Sequence, residues 1–221
     1  MRHRTMAEFA LEQLREAIIL GELEAGTPLR LDELARSLGM SISPIREAVR
    51  QLEALGLAKH VPHQGAKVLD FDADELRDLF QVRLGLESLA IRRAAERFTE
   101  TDGATAHAHL ARFDEAVAAG DVRESMRAHT AFHFALYEAS RSSWLVAMIR
   151  PAWDRSARGR PALFTDRSGP QRAHRACDQA LLDACVLGDP DAAAQALYEH
   201  LELASVIFKT ELGGRGIFEP A

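Results

Sequence analysis

Three histidines and an aspartate stand at spacings suited to metal chemistry. His129 and His133 lie four residues apart, in line with Met126 and Leu136, so both imidazoles are expected on the buried stripe of one helix. His174 and Asp178 repeat that spacing further on, and His200 falls beside the apolar row of Leu197, Ala204 and Ile207. A single helical histidine is usually satisfied by a carbonyl, a water or a carboxylate, but several on inward stripes at once are costly to bury without a common partner. Imidazole nitrogens plus one carboxylate, converging from several helices, are what a borderline divalent cation such as Zn2+ or Ni2+ prefers. The candidate ligands are His129, His133, Asp178 and His200, with His174 as a substitute for Asp178 or a holder of an outer water. Arg83 and Glu87 are also four apart. They form either a simple intrahelical ion pair, worth about 0.3 to 0.5 kcal/mol, or a pair whose arginine faces a ligand.

These residues need a helical scaffold, and the pattern supplies one. Beyond Asp70 strand signals stop. Helices are expected from a cap at Asp72 or Asp74 to about Phe98, then over Thr101 to Ala119, Asp121 to Ala139, Ser143 to Ser156, Pro170 to Leu187 and Pro190 to Leu212. Six helices predict an antiparallel bundle. The break from Ala157 to Gly169 holds Gly159, Pro161 and Gly169 and is expected to cover the bundle, while residues 213–221 are expected to form a flexible tail.

The part before the bundle has a different character. Leu31, Leu34, Ala35 and Leu38 follow helical offsets, and so do Ile45, Ala48, Val49 and Leu52, with Gly39-Met40-Ser41 between the two sets. Ser43 and Pro44 read as the cap and first position of the second helix, which puts Arg46 in its first turn and Arg50 one turn on. Ala58 to Val61 and Ala66 to Leu69 read as a hairpin around His63, Gln64 and Gly65. A helix-turn-helix with a wing presents its second helix to the major groove, so Ser41, Ile42, Ser43, Arg46, Arg50, His63, Gln64 and Gly65 are the candidate DNA contacts.

Charge refines that expectation. The chain has 221 residues, a formal net charge of -6, 47% hydrophobic and 27% charged content, which fits a globular protein of two domains and argues against a general polyanion binder. Positive charge is local: between Ser41 and Lys67 stand Arg46, Arg50, Lys59 and Lys67 against Glu47 and Glu53. The two cysteines, Cys177 and Cys185, read as apolar fillers, and the chain is expected to be cytoplasmic with no membrane partner. A metal-dependent hydrolase would use the same His/Asp set but would also need a general base, and no HExxH motif or nucleophile elbow occurs. The chain is therefore not expected to be an enzyme.

The segment SISPIREAVRQLEALGLAKHVPHQGAKV resembles the winged helix-turn-helix of the GntR family of bacterial transcription regulators, over roughly Phe9 to Leu69. Family members usually carry an arginine just before the Ser/Thr-Pro pair and often another in the first turn of the preceding helix; here those places hold Ile42 and Asp32. HTAFHFALYEAS and ALLDACVLGDPDAAAQALYEHLELA likewise resemble the FCD ligand-binding domain of the FadR subfamily, in its six-helix, VanR-like variant. In many FCD domains three histidines and one aspartate hold a metal. The resemblance places His133 and His200 on two of those histidine positions, His129 where aspartate is usual, and Asp178 where histidine is usual. Two ligands have been exchanged between helices and the inventory kept.

The resemblance implies a mainly α protein: a winged helix-turn-helix in residues 1–70 and a helical effector-binding and dimerisation domain in residues 71–212. It further implies a homodimer on a palindromic double-stranded DNA operator, acting as a repressor, with a small carboxylate effector held by Arg83 beside a divalent metal ion. Leu86 and Leu89 are expected to face the partner protomer. A regulator that senses the metal alone, without an organic effector, is the other reading.

Overall fold

The computed structural model describes residues 5–70, 73–157, 169–208 and 217–218. The chain divides into two compact units, Met1–Phe71 and Asp72–Ala221.

In the first unit, α1 (Met6–Ile19) starts at a capping box in which Thr5 and Glu8 each satisfy the other's backbone amide. The short α2 (Leu31–Leu38) ends at Gly39, whose φ of 64° lets the chain reverse into α3 (Ile42–Ala54). Strands β1 (Ala58–Val61) and β2 (Gly65–Val68) pair antiparallel with Lys59 opposite Lys67 and Val61 opposite Gly65. Ala10, Leu14, Ile18, Ile45, Leu52, Leu57 and Val68 are buried in one core, so helices and wing share a single apolar centre.

Two local expectations need correction here. Helix α3 begins at Ile42, with Ser41 as its N-cap, so Ser43 and Pro44 are the second and third helical residues. Proline is accepted there because first-turn amides have no intrahelical partner to lose. Arg46 is consequently the fifth helical residue, at the start of the second turn. The stretch between α1 and α2 also has a role the sequence pattern did not reveal. Gly26 N–H donates to the Val68 carbonyl, Val68 N–H to Thr27 and Leu29 N–H to Ala66, which tethers the wing along β2.

The second unit is a bundle of α4 (Ala73–Ala95), α5 (Glu100–Ala119), α6 (Val122–Ala139), α7 (Ser143–Ser156), α8 (Gly169–Leu187) and α9 (Pro190–Ala204). Side-chain caps at Thr99, Asp121, Ser142 and Asp189 open four of them. Helix α5 packs on α6, α8 on α9, and α4 against both α9 and α7. Among the described residues no helix is long and apolar enough to cross a membrane.

Helix ends differ modestly from expectation. Helix α4 stops at Ala95 rather than Phe98, because the chain must turn to set Thr99 as the cap of α5. Helix α9 stops at Ala204 and tightens into a 3-10 turn over Ser205–Phe208, where the Ser205 hydroxyl bonds back to the Glu202 carbonyl. Most of the 157–169 break lies outside the described residues. Of residues 213–221 only 217 and 218 are described: Ile217 is buried, and the Phe218 ring stacks on Tyr198 with centroids 5.1 Å apart.

Candidate metal centre and nucleic-acid interface

Helix α6 turns its inward stripe, Met126, His129, His133, Leu136 and Tyr137, into the bundle. Helix α8 presents His174 and Asp178 to the same centre, and α9 adds His200; all five ionisable side chains are buried. One ligand atom from each of His129, His133, Asp178 and His200 lies within 4.8 Å of all the others. Asp178 is the hub. Its Oδ1 is 3.2 Å from His133 Nε2 and 3.1 Å from His200 Nδ1, while its Oδ2 is 3.5 Å from His129 Nε2 and 3.6 Å from His174 Nδ1. The His174 ring centroid is 4.4 Å from that of His200 and 5.0 Å from that of His129, so this side chain belongs to the same cluster although outside its tightest set.

Burial pushes the His129 imidazole down to about 3, that of His200 down to about 4 and that of His133 well below its ordinary range. Neutral imidazoles with available lone pairs are the form a metal takes. Burial opposes ionisation of Asp178 too, but His129, His174 and His200 around it outweigh that and hold its carboxyl well below the usual range. His133 Nδ1 and Asp178 Oδ2 are buried without a hydrogen-bond partner among the described residues. A divalent cation suits this set: it pairs with the ionised carboxylate and takes up the lone pairs of the imidazoles.

Beside the cluster, α4 contributes Arg83 and Glu87, both buried. Arg83 Nε donates to Glu87 Oε1 at 2.7 Å and Nη2 to Oε2 at 3.1 Å, so the pair is bidentate and interior rather than a solvated helix face. The guanidinium carbon lies 4.9 Å from the Trp153 ring centroid and 5.3 Å from that of Phe80. Its Nη1 has no hydrogen-bond partner among the described residues. A fork held on one side by a carboxylate and between two rings, with one nitrogen left over, is equipped to receive a second acceptor.

Sequence reasoning missed the aromatic walls. Trp153 approaches both His129 and His133, with centroids 6.0 and 4.9 Å away, and Phe113 lies 5.5 Å from His129. Tyr137, one turn after His133, is equally buried; that spacing was the available signal. Of the two residues expected to meet a partner protomer, Leu89 is exposed and Leu86 half-buried.

In the first unit Ser41, Ile42, Ser43, Arg46 and Arg50 are all exposed along α3, and His63, Gln64 and Gly65 are exposed at the wing tip. Both His63 and Gly65 take positive φ, 63° and 80°. Ser41, Ser43, Arg46 and Arg50 share a groove with Met6 and Ala7 of α1. Asp32 is exposed on α2.

Comparison with known proteins agrees with this division. Residues 6–68 match the family described as bacterial regulatory proteins, gntR family, and residues 78–203 match the FCD domain. The chain is 29% identical over 164 residues to the HTH-type transcriptional regulator McbR of Escherichia coli, covering 74% of each. It is 30% identical over 200 residues to a probable D-xylose utilization operon transcriptional repressor of Paenarthrobacter nicotinovorans, covering 86% of this chain and 84% of the relative. The solved structure of E. coli McbR superimposes with a TM-score of 0.81 at 25% identity, over 93% of this chain and 98% of the other. FCD domains bind small-molecule effectors and often metals, and a GntR head binds DNA. The chain thus belongs to the GntR family, with an FCD domain following its DNA-binding head, and it is a transcriptional regulator rather than an enzyme.

Proposed function

We propose that this regulator is a cytoplasmic repressor that binds a palindromic operator as a homodimer and answers to a small carboxylate effector. In this reading the effector's carboxylate pairs with Arg83, and its other oxygens complete a divalent metal ion, Zn2+ or Ni2+, held by His129, His133, Asp178 and His200. The observation that carries the reading is the buried cluster of three imidazoles and one carboxylate beside a bidentate Arg83 with a spare nitrogen. When bound, the metal would supply Lewis acidity toward carboxylate and hydroxyl oxygens. Arg83 orients the incoming carboxylate through its planar fork, Glu87 holds that fork, and Trp153 and Phe80 keep water from it. Exposed Ser41, Ser43, Arg46 and Arg50 meet the major groove and the tip residues His63, Gln64 and Gly65 the adjoining backbone or minor groove. A coupling of about 1 to 3 kcal/mol between the two sites gives a 5- to 150-fold change in operator affinity.

The test combines elemental analysis of gently purified protein with operator binding in the presence of metal and of a panel of short hydroxy acids. The reading expects bound divalent metal and operator release only when a carboxylate is added to the loaded protein. Protein that stays metal-free after soaking overturns the metal centre; release by metal alone overturns the organic effector in favour of a metal sensor.

A further inference from the structure

Ile42 is the exception on its helix. Ile45, Ala48, Val49 and Leu52 are buried in the head's core, whereas Ile42 is 39% exposed. It is the first helical residue of α3, between the exposed Ser41 and Ser43. Arg46 and Arg50 follow at four-residue steps, so Ile42 begins the row of side chains that the two arginines continue. Whatever Arg46 and Arg50 address, Ile42 addresses too. The opening residues of a recognition helix reach base edges, and a branched aliphatic side chain offers no hydrogen bond to a phosphate or a ring nitrogen. The one apolar feature of the major groove is the C5 methyl of thymine.

We infer that Ile42 selects a thymine in each operator half-site by packing on its C5 methyl. The inference rests on the DNA-binding role of the head and specifies what the head reads. An arginine at this place would instead favour guanine, through bidentate contact with O6 and N7.

The experiment selects duplexes from a random pool with the full-length protein and then replaces each half-site thymine by uracil, which removes the methyl and nothing else. At one thymine per half-site the wild-type protein should lose about fourfold in affinity, the worth of one buried methyl. The exposed-site variant Ile42→Ala should keep its fold by circular dichroism and lose that sensitivity, while Ile42→Arg should enrich guanine there. Indifference to uracil at every position, or unchanged sensitivity in Ile42→Ala, overturns the thymine assignment while leaving DNA binding intact. Failure to enrich any duplex overturns the DNA-binding reading and the inference together.

Discussion

The Tyr137 hydroxyl donates a 2.7 Å hydrogen bond to Glu87 Oε2, across the interior from α6 to α4. The carboxylate that grips Arg83 is thus itself held from α6, one turn beyond His133. The helix that carries His129 and His133 and the helix that carries Arg83 are coupled through this bond.

Tyr137→Phe keeps the ring and removes only that donor. A hydrogen bond to a buried charged group contributes about 1.5 to 3 kcal/mol, so chemical denaturation should show a loss in that range with an unchanged m-value. A loss below about 0.5 kcal/mol would mean that the Arg83–Glu87 pair needs no support.

In the proposed metal centre, the exchange of His129 and Asp178 between α6 and α8 that the family resemblance implies yields a sharper expectation. His129→Asp alone puts two carboxylates among two of the ligand imidazoles, and Asp178→His alone leaves four imidazoles and no carboxylate. Each single variant should bind Zn2+ or Ni2+ at least about tenfold more weakly, as judged by competition with a chromophoric chelator. The double variant restores the inventory in the arrangement that the family resemblance implies and should recover most of the affinity. Additive loss in the double variant would show that helix identity, and not ligand inventory, sets the site.

Burial of the imidazoles fixes the acid response of metal-free protein. His129 and His200 have folded-state values of about 3 and about 4, below the ordinary 6.5, so between 6.5 and 4 the unfolded chain takes up protons that the folded chain refuses. Stability contributed by neutral burial is present above about 6.5 and declines as pH falls through that window. Asp178, held below 3.8, adds its own loss only at lower pH. In a chelator-containing buffer the melting temperature should therefore decline from pH 6.5 to pH 4. Replacement of His200 by Gln should flatten the decline, and an equal slope in both proteins would contradict it.

The sequence disclosed the buried imidazoles and carboxylate more readily than the rings around them. His129, His133 and Asp178 were visible because a polar residue on an apolar stripe demands a reason, and helical spacing fixes which way it points. Trp153 and Phe113 were not, since an aromatic on such a stripe looks like any core residue until its neighbours are known. The start of α3 was misplaced by two residues because proline is equally acceptable at several first-turn positions. The tether of residues 26–29 to the wing depends on backbone hydrogen bonds between segments about forty residues apart, which side-chain patterning does not encode.

Asp70 restrains the wing's positive charge. Lys59 and Lys67 are cross-strand partners, so their like charges stand on one face of the hairpin. Asp70 spans them, with Oδ1 2.5 Å from Lys59 Nζ and Oδ2 3.8 Å from Lys67 Nζ, and the hydrogen bond from Lys59 lowers its carboxyl below the ordinary value. All three side chains keep substantial access to solvent, so the arrangement adds little to stability and phosphate can compete with it. Asp70→Asn removes the competitor. Operator affinity should rise at low salt, and the plot of log affinity against log salt should steepen by about 1 to 2 per bound head, as freed lysines displace counterions. If Asp70 only relieves the repulsion between the two lysines, the variant should instead bind no more tightly and leave the slope unchanged.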